Sequence, residues 1–408
     1  MIPFDVSGSV KDANSSIYAD QNILVVLAEY YDSGGTRTYI KQLLDFHYSQ
    51  GFKVILVGLE LEPDSDLGEF LHIRGMSFVP YSQVIGRRHS LSSKTDASRP
   101  KVWSPRYMCR ERKSFREFLT HVGARGIVVS VGTPGLFAGA LGSVRDNIYV
   151  LHTYPHGRRQ RLFGRHMMKV FFKRSKAIVS VSRFEENQMR RLWNMPDADN
   201  RIWVIPNTTD PIQQRLSFPE NRKFEVITAS WVEPYKSPEI WLGVSELVSS
   251  RLGMENVRFT WLGEGSLLPK YQLEAEKMSK HVDVQFVGHQ DDVESFYRQA
   301  SVYLQLSSTE NMSLSVIDAL KFGLPAVVSN AGALPEIVEH DVNGKVVSVG
   351  SVEQAAEAIV QILSSKVAWE RMSQAAHERY TSVFSTGEWT RKMIDLHISV
   401  FGTINDHD

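Results

Sequence analysis

The 408-residue chain balances 46 Lys and Arg against 46 Asp and Glu, so its formal charge is zero and nothing in the totals calls for a nucleic-acid partner. An apolar share of 42% beside 23% charged residues excludes wholesale disorder, and the length suits two domains, each with its own core. The single cysteine, Cys109, excludes an intrachain disulfide and a cysteine-based zinc site, and fits a reducing compartment.

Residues 1–20 are polar, with no basic start leading into an apolar run, and read as a loosely held terminus without a secretory signal. Short, unalternating β-branched runs then recur at 23–27, 53–57, 126–131, 148–151 and 177–181. Such runs are the mark of parallel strands covered on both faces. Between them lie amphipathic windows such as 38–50. The uncharged stretch 126–144 is long enough to span a bilayer, but its five glycines and Pro134 make it a buried strand, a tight turn and the start of a small-residue helix. Residues 201–222 are rich in proline and polar residues and read as the linker. A second series follows at 224–228, 257–262, 284–287, 302–306 and 326–329, with a helical window at 238–252. Residues 388–401 carry Trp389, Met393, Leu396 and Val400 at helical spacing, the pattern of a packing helix. Repeated strand-helix units of this kind make an α/β chain of two doubly wound parallel sheets.

Several stretches carry chemistry. After the strand at 302–306 comes a loop with Glu310, then a helix from Ser313 to Lys321 stopped by Gly323 and Pro325. Ligands of open α/β sheets bind beyond the carboxyl ends of the strands, and a helix N-terminus favours a diphosphate. Asn311, Met312, Ser313 and Leu314 would supply the amides, Glu310 could accept from sugar hydroxyls, and Asp318 lies further along the helix. In isolation the two acids would read as a helix-start residue and a solvated one. Gly34 and Gly35 stand at a strand-to-helix turn, which is either a plain tight turn or a close approach to phosphate or sugar. His152 ends the run at 148–151 and reads as structural or as a sugar contact, with His156 behind it. Residues 158–176 hold eight Lys and Arg; Arg161, Arg165, Lys169 and Lys173 share one helix face, which is either solvated or apposed to an anionic membrane. Three scattered D-x-D matches open no convincing metal site, and no dinucleotide fingerprint or P-loop occurs.

The ordered set from 224 to 347 closely resembles glycosyltransferase family 4, the retaining GT-B enzymes. The matching elements are Glu310, Asp318-Ala319, Gly323 to Ala326, and Gly332 to Glu336. Ser230 to Lys236, Gly263-Glu264-Gly265, and Gly288-His289 match the segments that come earlier in the family's order. The likeness spans roughly residues 22–400. It implies two Rossmann-like domains facing an interdomain cleft: an acceptor domain over 1–211, a nucleotide-sugar donor domain over 212–387, and a helix over 388–408 packing back on the first.

What the resemblance implies for the site is specific. Lys236 clamps the donor diphosphate, Glu310 contacts the donor sugar, Asp318 the ribose and His289 the region of the base. His152 hydrogen-bonds the sugar, and Gly34 and Gly35 cover the donor. Two departures stand out: Ser230 occupies the place of the family's second diphosphate-clamping residue, an arginine, and Asp318 stands where glutamate is usual. The expected reaction moves a hexose with retention from a nucleoside diphosphate to a glycan or lipid-linked acceptor in polysaccharide assembly. No cofactor or metal is expected, and the expected place is the cytoplasm, with a peripheral position at the inner face of the membrane through residues 158–176. The rival readings are a non-catalytic GT-B subunit that binds a partner glycosyltransferase or glycan, and a GT-B sugar-nucleotide epimerase.

Overall fold

The computed structural model describes residues 22–29, 35–58, 65–86, 105–132, 137–144, 146–153, 176–196, 200–212, 215–220 and 223–402. The chain divides into two compact units. One gathers Met1–Val181, Glu185–Ile205 and Thr390–Asp408; the other gathers Ser182–Phe184 and Pro206–Trp389. The main crossover thus falls before residue 211, inside the stretch read as a linker, and the chain returns to the first unit just past residue 387.

The first unit is built on seven parallel strands: β1 (Ile23–Ala28), β2 (Lys53–Gly58), β3 (Ser77–Pro80), β4 (Ala124–Val131), β5 (Asn147–Leu151), β6 (Ala177–Ser180) and β7 (Ile202–Val204). Their order is β3-β2-β1-β4-β5-β6-β7. Every side chain of β1 is buried, as the unbroken run of apolar residues requires when helices cover both faces. Each fully buried Val, Leu or Ile of such a strand contributes roughly 1.5–3 kcal/mol relative to exposure.

The second unit has six parallel strands: β8 (Phe224–Ala229), β9 (Val257–Leu262), β10 (Val284–Gly288), β11 (Val302–Gln305), β12 (Ala326–Ser329) and β13 (Gly344–Val347). Their order is β10-β9-β8-β11-β12-β13, with Val226 of β8 opposite both Phe259 of β9 and Val302 of β11. The helix Pro238–Leu252 starts on a proline and stops at Gly253, whose φ of 87° a side chain would resist. It fixes β8 and β9 through Trp241, which is fully buried and packs edge-on against Phe259, Trp261 and Phe286 at 5.3–5.6 Å. The indole N–H does not go unpaired, because it donates to Thr228 Oγ1 at 2.8 Å.

Three strands escape the sequence reading: β3, β7 and β13. All lie at a sheet edge, and all are short and only partly buried. An edge strand needs no continuous apolar run, so its pattern is weak. Residues 202–204, assigned to the linker by composition, are in fact the last strand of the first sheet.

The C-terminal helix, Thr386–Phe401, buries Met393, Leu396, Val400 and Phe401. Its last turn is fastened to the first unit: Arg125 donates to the Phe401 carbonyl, and Lys176 Nζ donates to the Val400 carbonyl at 3.0 Å. Above this, His397 meets His47 of the helix Gly35–Ser49 with ring centroids 5.7 Å apart, amid Phe46, Phe52 and Phe401. His47 is fully buried and His397 is 3% exposed. Burial first, and then His397 beside His47 and Arg125 beside His397, each opposing a second positive charge, push His47 down to about 3 and His397 to about 4 from the ordinary 6.5. Both rings are therefore neutral in the folded chain, and neither His47 nitrogen has a hydrogen-bond partner.

Below about pH 6.5 the unfolded chain takes up protons at these two positions that the folded chain refuses, so their stabilisation is present above that pH and declines as pH falls toward 4. Each ring can contribute a slope of up to about 1.4 kcal/mol per pH unit. Urea titrations between pH 7 and 4.5 should show a shallower decline for His397→Leu than for the native chain. Parallel curves would remove the histidine pair as the cause.

Candidate active site

In the second sheet the order reverses between β8 and β11: β9 and β10 extend one way, β12 and β13 the other. Loops leaving the two central strands at such a point part to opposite faces and open a crevice beyond the strand ends. Two segments run there, 230–237 after β8 and 306–313 after β11. They meet where Ser308 N donates to the Tyr235 carbonyl at 2.8 Å. Pro234–Lys236 forms a single 3-10 turn that ends on Ser237 in the left-handed region, φ 55°, and this turn aims Lys236 back toward the sheet. Gly263 and Gly265 let the neighbouring loop approach: a β-carbon on either would overlap the carbonyl oxygen of Ser230 or Val232.

Lys236 Nζ donates to Glu310 Oε2, and the two side chains are only 11% and 15% exposed. The same oxygen accepts from Gln305 Nε2 at 2.7 Å and, more distantly, from Ser307 Oγ at 3.4 Å; Oε1 accepts from the Asn311 amide at 3.3 Å. A carboxylate largely withdrawn from water needs this many partners, since an unpaired charge there would be far costlier than the pair itself. From behind, Gly332 holds the loop at φ 57°. A β-carbon at Gly332 would overlap the Glu310 carbonyl oxygen, which also accepts from Ala333 N at 3.2 Å. The Gly-rich turn of the motif therefore acts as the seat of Glu310.

Beside the carboxylate, the helix Leu314–Lys321 begins. Ser313 is its N-cap, accepting from Val316 N at 3.5 Å and donating to Gln305 Oε1 at 3.1 Å. The leading amides of a helix have no partner within it and carry a partial positive charge, so Met312, Ser313 and Leu314 stand at the electropositive end. Structure thus gathers Lys236, Glu310, Asn311 and Ser313 into one hydrogen-bonded group, with Met312 and Leu314 adjacent in the chain.

Other expected residues lie apart. The Ser230 hydroxyl is enclosed without a hydrogen-bond partner, and its backbone does the binding: N to the Leu262 carbonyl at 2.8 Å, and carbonyl from Trp261 Nε1 at 2.9 Å. It offers no substitute for a cation. Asp318 is held by Lys321 Nζ at 2.9 Å on its own helix; burial raises its carboxyl and the lysine opposes that rise. Gly263 follows β9 and lies against Ser230, and His289 is exposed after β10 with Nε2 3.4 Å from Asp291.

In the first unit, His152 follows β5 and its amide donates to the Val131 carbonyl at 3.1 Å. Its Nε2 is 3.0 Å from Ser130 Oγ, and the Tyr39 ring stands edge-on at 4.5 Å. Burial lowers the imidazole to about 4, so at neutral pH it is an uncharged hydrogen-bonding group. Gly35 opens the helix Gly35–Ser49, whereas Gly34, His156 and all but the last residue of 158–176 fall outside the described residues. Lys176, that last residue, pairs with Asp146 at 2.6 Å. Among the described residues no group of three His, Cys, Asp or Glu side chains could hold a metal ion, and no helix is long and apolar enough to cross a membrane. Sequence reasoning missed Gln305 and Ser307. A glutamine closing an otherwise apolar strand was the available signal.

Two family models match the chain: "Glycosyltransferase Family 4" over residues 33–213 and "Glycosyl transferases group 1" over 210–379. An uncharacterised glycosyltransferase of Haemophilus influenzae is 24% identical over 270 residues, 64% of this chain and 73% of that one. The UDP-Gal:alpha-D-GlcNAc-diphosphoundecaprenol alpha-1,3-galactosyltransferase of Escherichia coli is 21% identical over 213 residues, 49% of this chain and 54% of its own length. A glycosyltransferase structure from Rickettsia africae superposes with a TM-score of 0.71 over 93% of this chain and 99% of that one, at 14% identity. With adjoining models spanning both units and a matching pair of parallel-sheet domains, the chain belongs to the family 4-like glycosyltransferases of GT-B fold.

Proposed function

We propose that this glycosyltransferase moves a hexose, with retention at the anomeric carbon, from a nucleoside diphosphate to a glycan or lipid-linked acceptor in polysaccharide assembly, without a metal. The observation that carries the reading is the Glu310–Lys236 pair set beside a capped helix start at the strand-order reversal. An ammonium has three N–H donors, so Lys236 can keep one on Glu310 and turn others to a departing diphosphate. The leading amides of the helix share that charge, stabilising the leaving group without moving. Glu310 grips sugar hydroxyls, and His152, being neutral, contributes a hydrogen bond to the donor sugar. With Ser230 in the arginine's place, the diphosphate is held by one cation and by amides. That same feature is what favours the rival of a non-catalytic subunit, and calorimetry finding no affinity for any nucleoside diphosphate would decide for the rival.

The acceptor half of the proposal draws on the E. coli relative, whose name specifies a diphosphoundecaprenol acceptor, and on the basic sequence of residues 158–176.

The defining test is a thermal-shift screen of UDP-, GDP-, ADP- and TDP-sugars, followed by NMR of the product's anomeric configuration. Lys236→Ala should weaken the donor by roughly ten- to a hundredfold, the loss expected for one charge-assisted contact. Glu310→Gln should lower kcat while leaving the affinity for the bare nucleoside diphosphate within about twofold. Inverted product, or full activity in either variant, would end the reading. Gly332→Ala should cost at least about tenfold in donor affinity by displacing Glu310. Gly350→Ala, at a similar φ of 79° but in open space, serves as control and should cost none. Binding to vesicles containing anionic phospholipid should fall when Arg161, Arg165, Lys169 and Lys173 are neutralised together; unchanged co-sedimentation would remove the membrane role.

A further inference from the structure

Gln305 is 2% exposed, and it closes a strand whose other members, Val302, Tyr303 and Leu304, are buried. A buried primary amide is costly unless both its ends are used, and here both are. Its Nε2 donates to Glu310 Oε2 at 2.7 Å and to Ser307 Oγ at 3.3 Å. Its Oε1 accepts from Tyr303 OH at 3.1 Å, from Ser313 Oγ at 3.1 Å and from Ser315 Oγ at 3.3 Å. Tyr303 OH also lies 3.3 Å from the Ala229 amide at the end of β8, and Ser313 is the N-cap of Leu314–Lys321. One side chain therefore ties together the carboxylate, the helix start and the end of the neighbouring central strand.

We infer that Gln305 is a positioning residue for sugar transfer: it holds the Glu310 carboxylate in register with the amides of the Leu314–Lys321 helix, so that sugar and diphosphate are gripped at a set distance from each other. This rests on the proposed donor role of Glu310. The polarity of the amide is what the arrangement uses. Its N–H end must face the carboxylate and its carbonyl end the hydroxyls of Tyr303, Ser313 and Ser315; an apolar side chain of the same length supplies neither. A carboxyl in its place keeps the acceptor end but sets two acids against each other, and at that separation the charge of one opposes ionisation of the other until the pH is high.

The test compares Gln305→Met, Gln305→Glu and Glu310→Gln, singly and as the Gln305→Met/Glu310→Gln pair, in the full chain with the best-binding sugar nucleotide from a UDP-, GDP-, ADP- and TDP-hexose panel. Gln305→Met should lower kcat by about tenfold, as expected for a lost hydrogen bond to a charged group, with the donor KM changed less than about threefold. Added to Glu310→Gln it should lower kcat by no more than about twofold further, because the two residues act as one. Gln305→Glu should be poorer than Gln305→Met at high pH and recover as pH falls, since the introduced carboxyl, once protonated, can donate to Glu310; the methionine variant should show no such recovery. That pH profile separates positioning from a purely structural part, which would lower thermal stability and activity alike at every pH. Native turnover matched by Gln305→Met, or fully additive losses in the pair, would overturn the role of Gln305 and leave the donor reading standing. A native chain that binds no member of the panel would overturn the donor reading, and the positioning role with it.

Discussion

A lysine ammonium and a glutamate carboxylate, both largely withdrawn from water at the ends of two central strands, set the terms for the rest of the second unit. Removing a charge from water costs several kcal/mol unless every lone pair and proton finds a partner. The surroundings of Lys236 and Glu310 read as the answer to that demand. An amide and a hydroxyl supplement the ion pair, a backbone N–H covers the remaining oxygen, and glycine on the neighbouring loop lets the main chain close in from behind. The N-cap hydroxyl of Ser313 joins the same network, so the electrostatic end of the helix and the carboxylate are coupled rather than merely near.

The first unit handles its polar groups differently. Its titratable residues of interest are kept neutral by burial instead of being paired: His152 beside Ser130 and Tyr39, and His47 against His397 of the C-terminal helix. Neutral imidazoles pack in an apolar setting without the desolvation cost of a charge. The covalent route of the chain, out to the second unit and back at residue 390, thus ends in a helix that brings His397 against His47.

Departures from the family pattern take on a physical meaning in this setting. Ser230 is not an idle replacement for a charge: its loop runs close under Gly263, and its carbonyl anchors Trp261. The backbone function of the position survives while the cationic one is gone. Under the proposed reaction, charge on the leaving diphosphate falls to Lys236 and to the helix amides, a fixed and preorganised set. Asp318, shorter than the usual glutamate, pairs with Lys321 one turn on.

How much could be read in advance varies with burial. Central strands and the helices at 238–252 and 314–321 follow from the residues alone, because a segment covered on both faces must be apolar throughout and a helix must show its period. The order of Glu310, the small-residue helix and the glycine turn was likewise visible as a local pattern. Of the four edge strands only β10 was, since half-exposed backbone imposes little on side-chain choice; β7 hid inside a linker for that reason. Nor could local pattern show that Lys236 donates to Glu310, 74 residues further on, that Gln305 donates to the same oxygen, or that His47 and His397 touch. Those contacts exist only because parallel pairing brings β8 and β11 side by side and returns the last helix to the first sheet, and long-range pairing of that kind leaves no periodic trace along the chain.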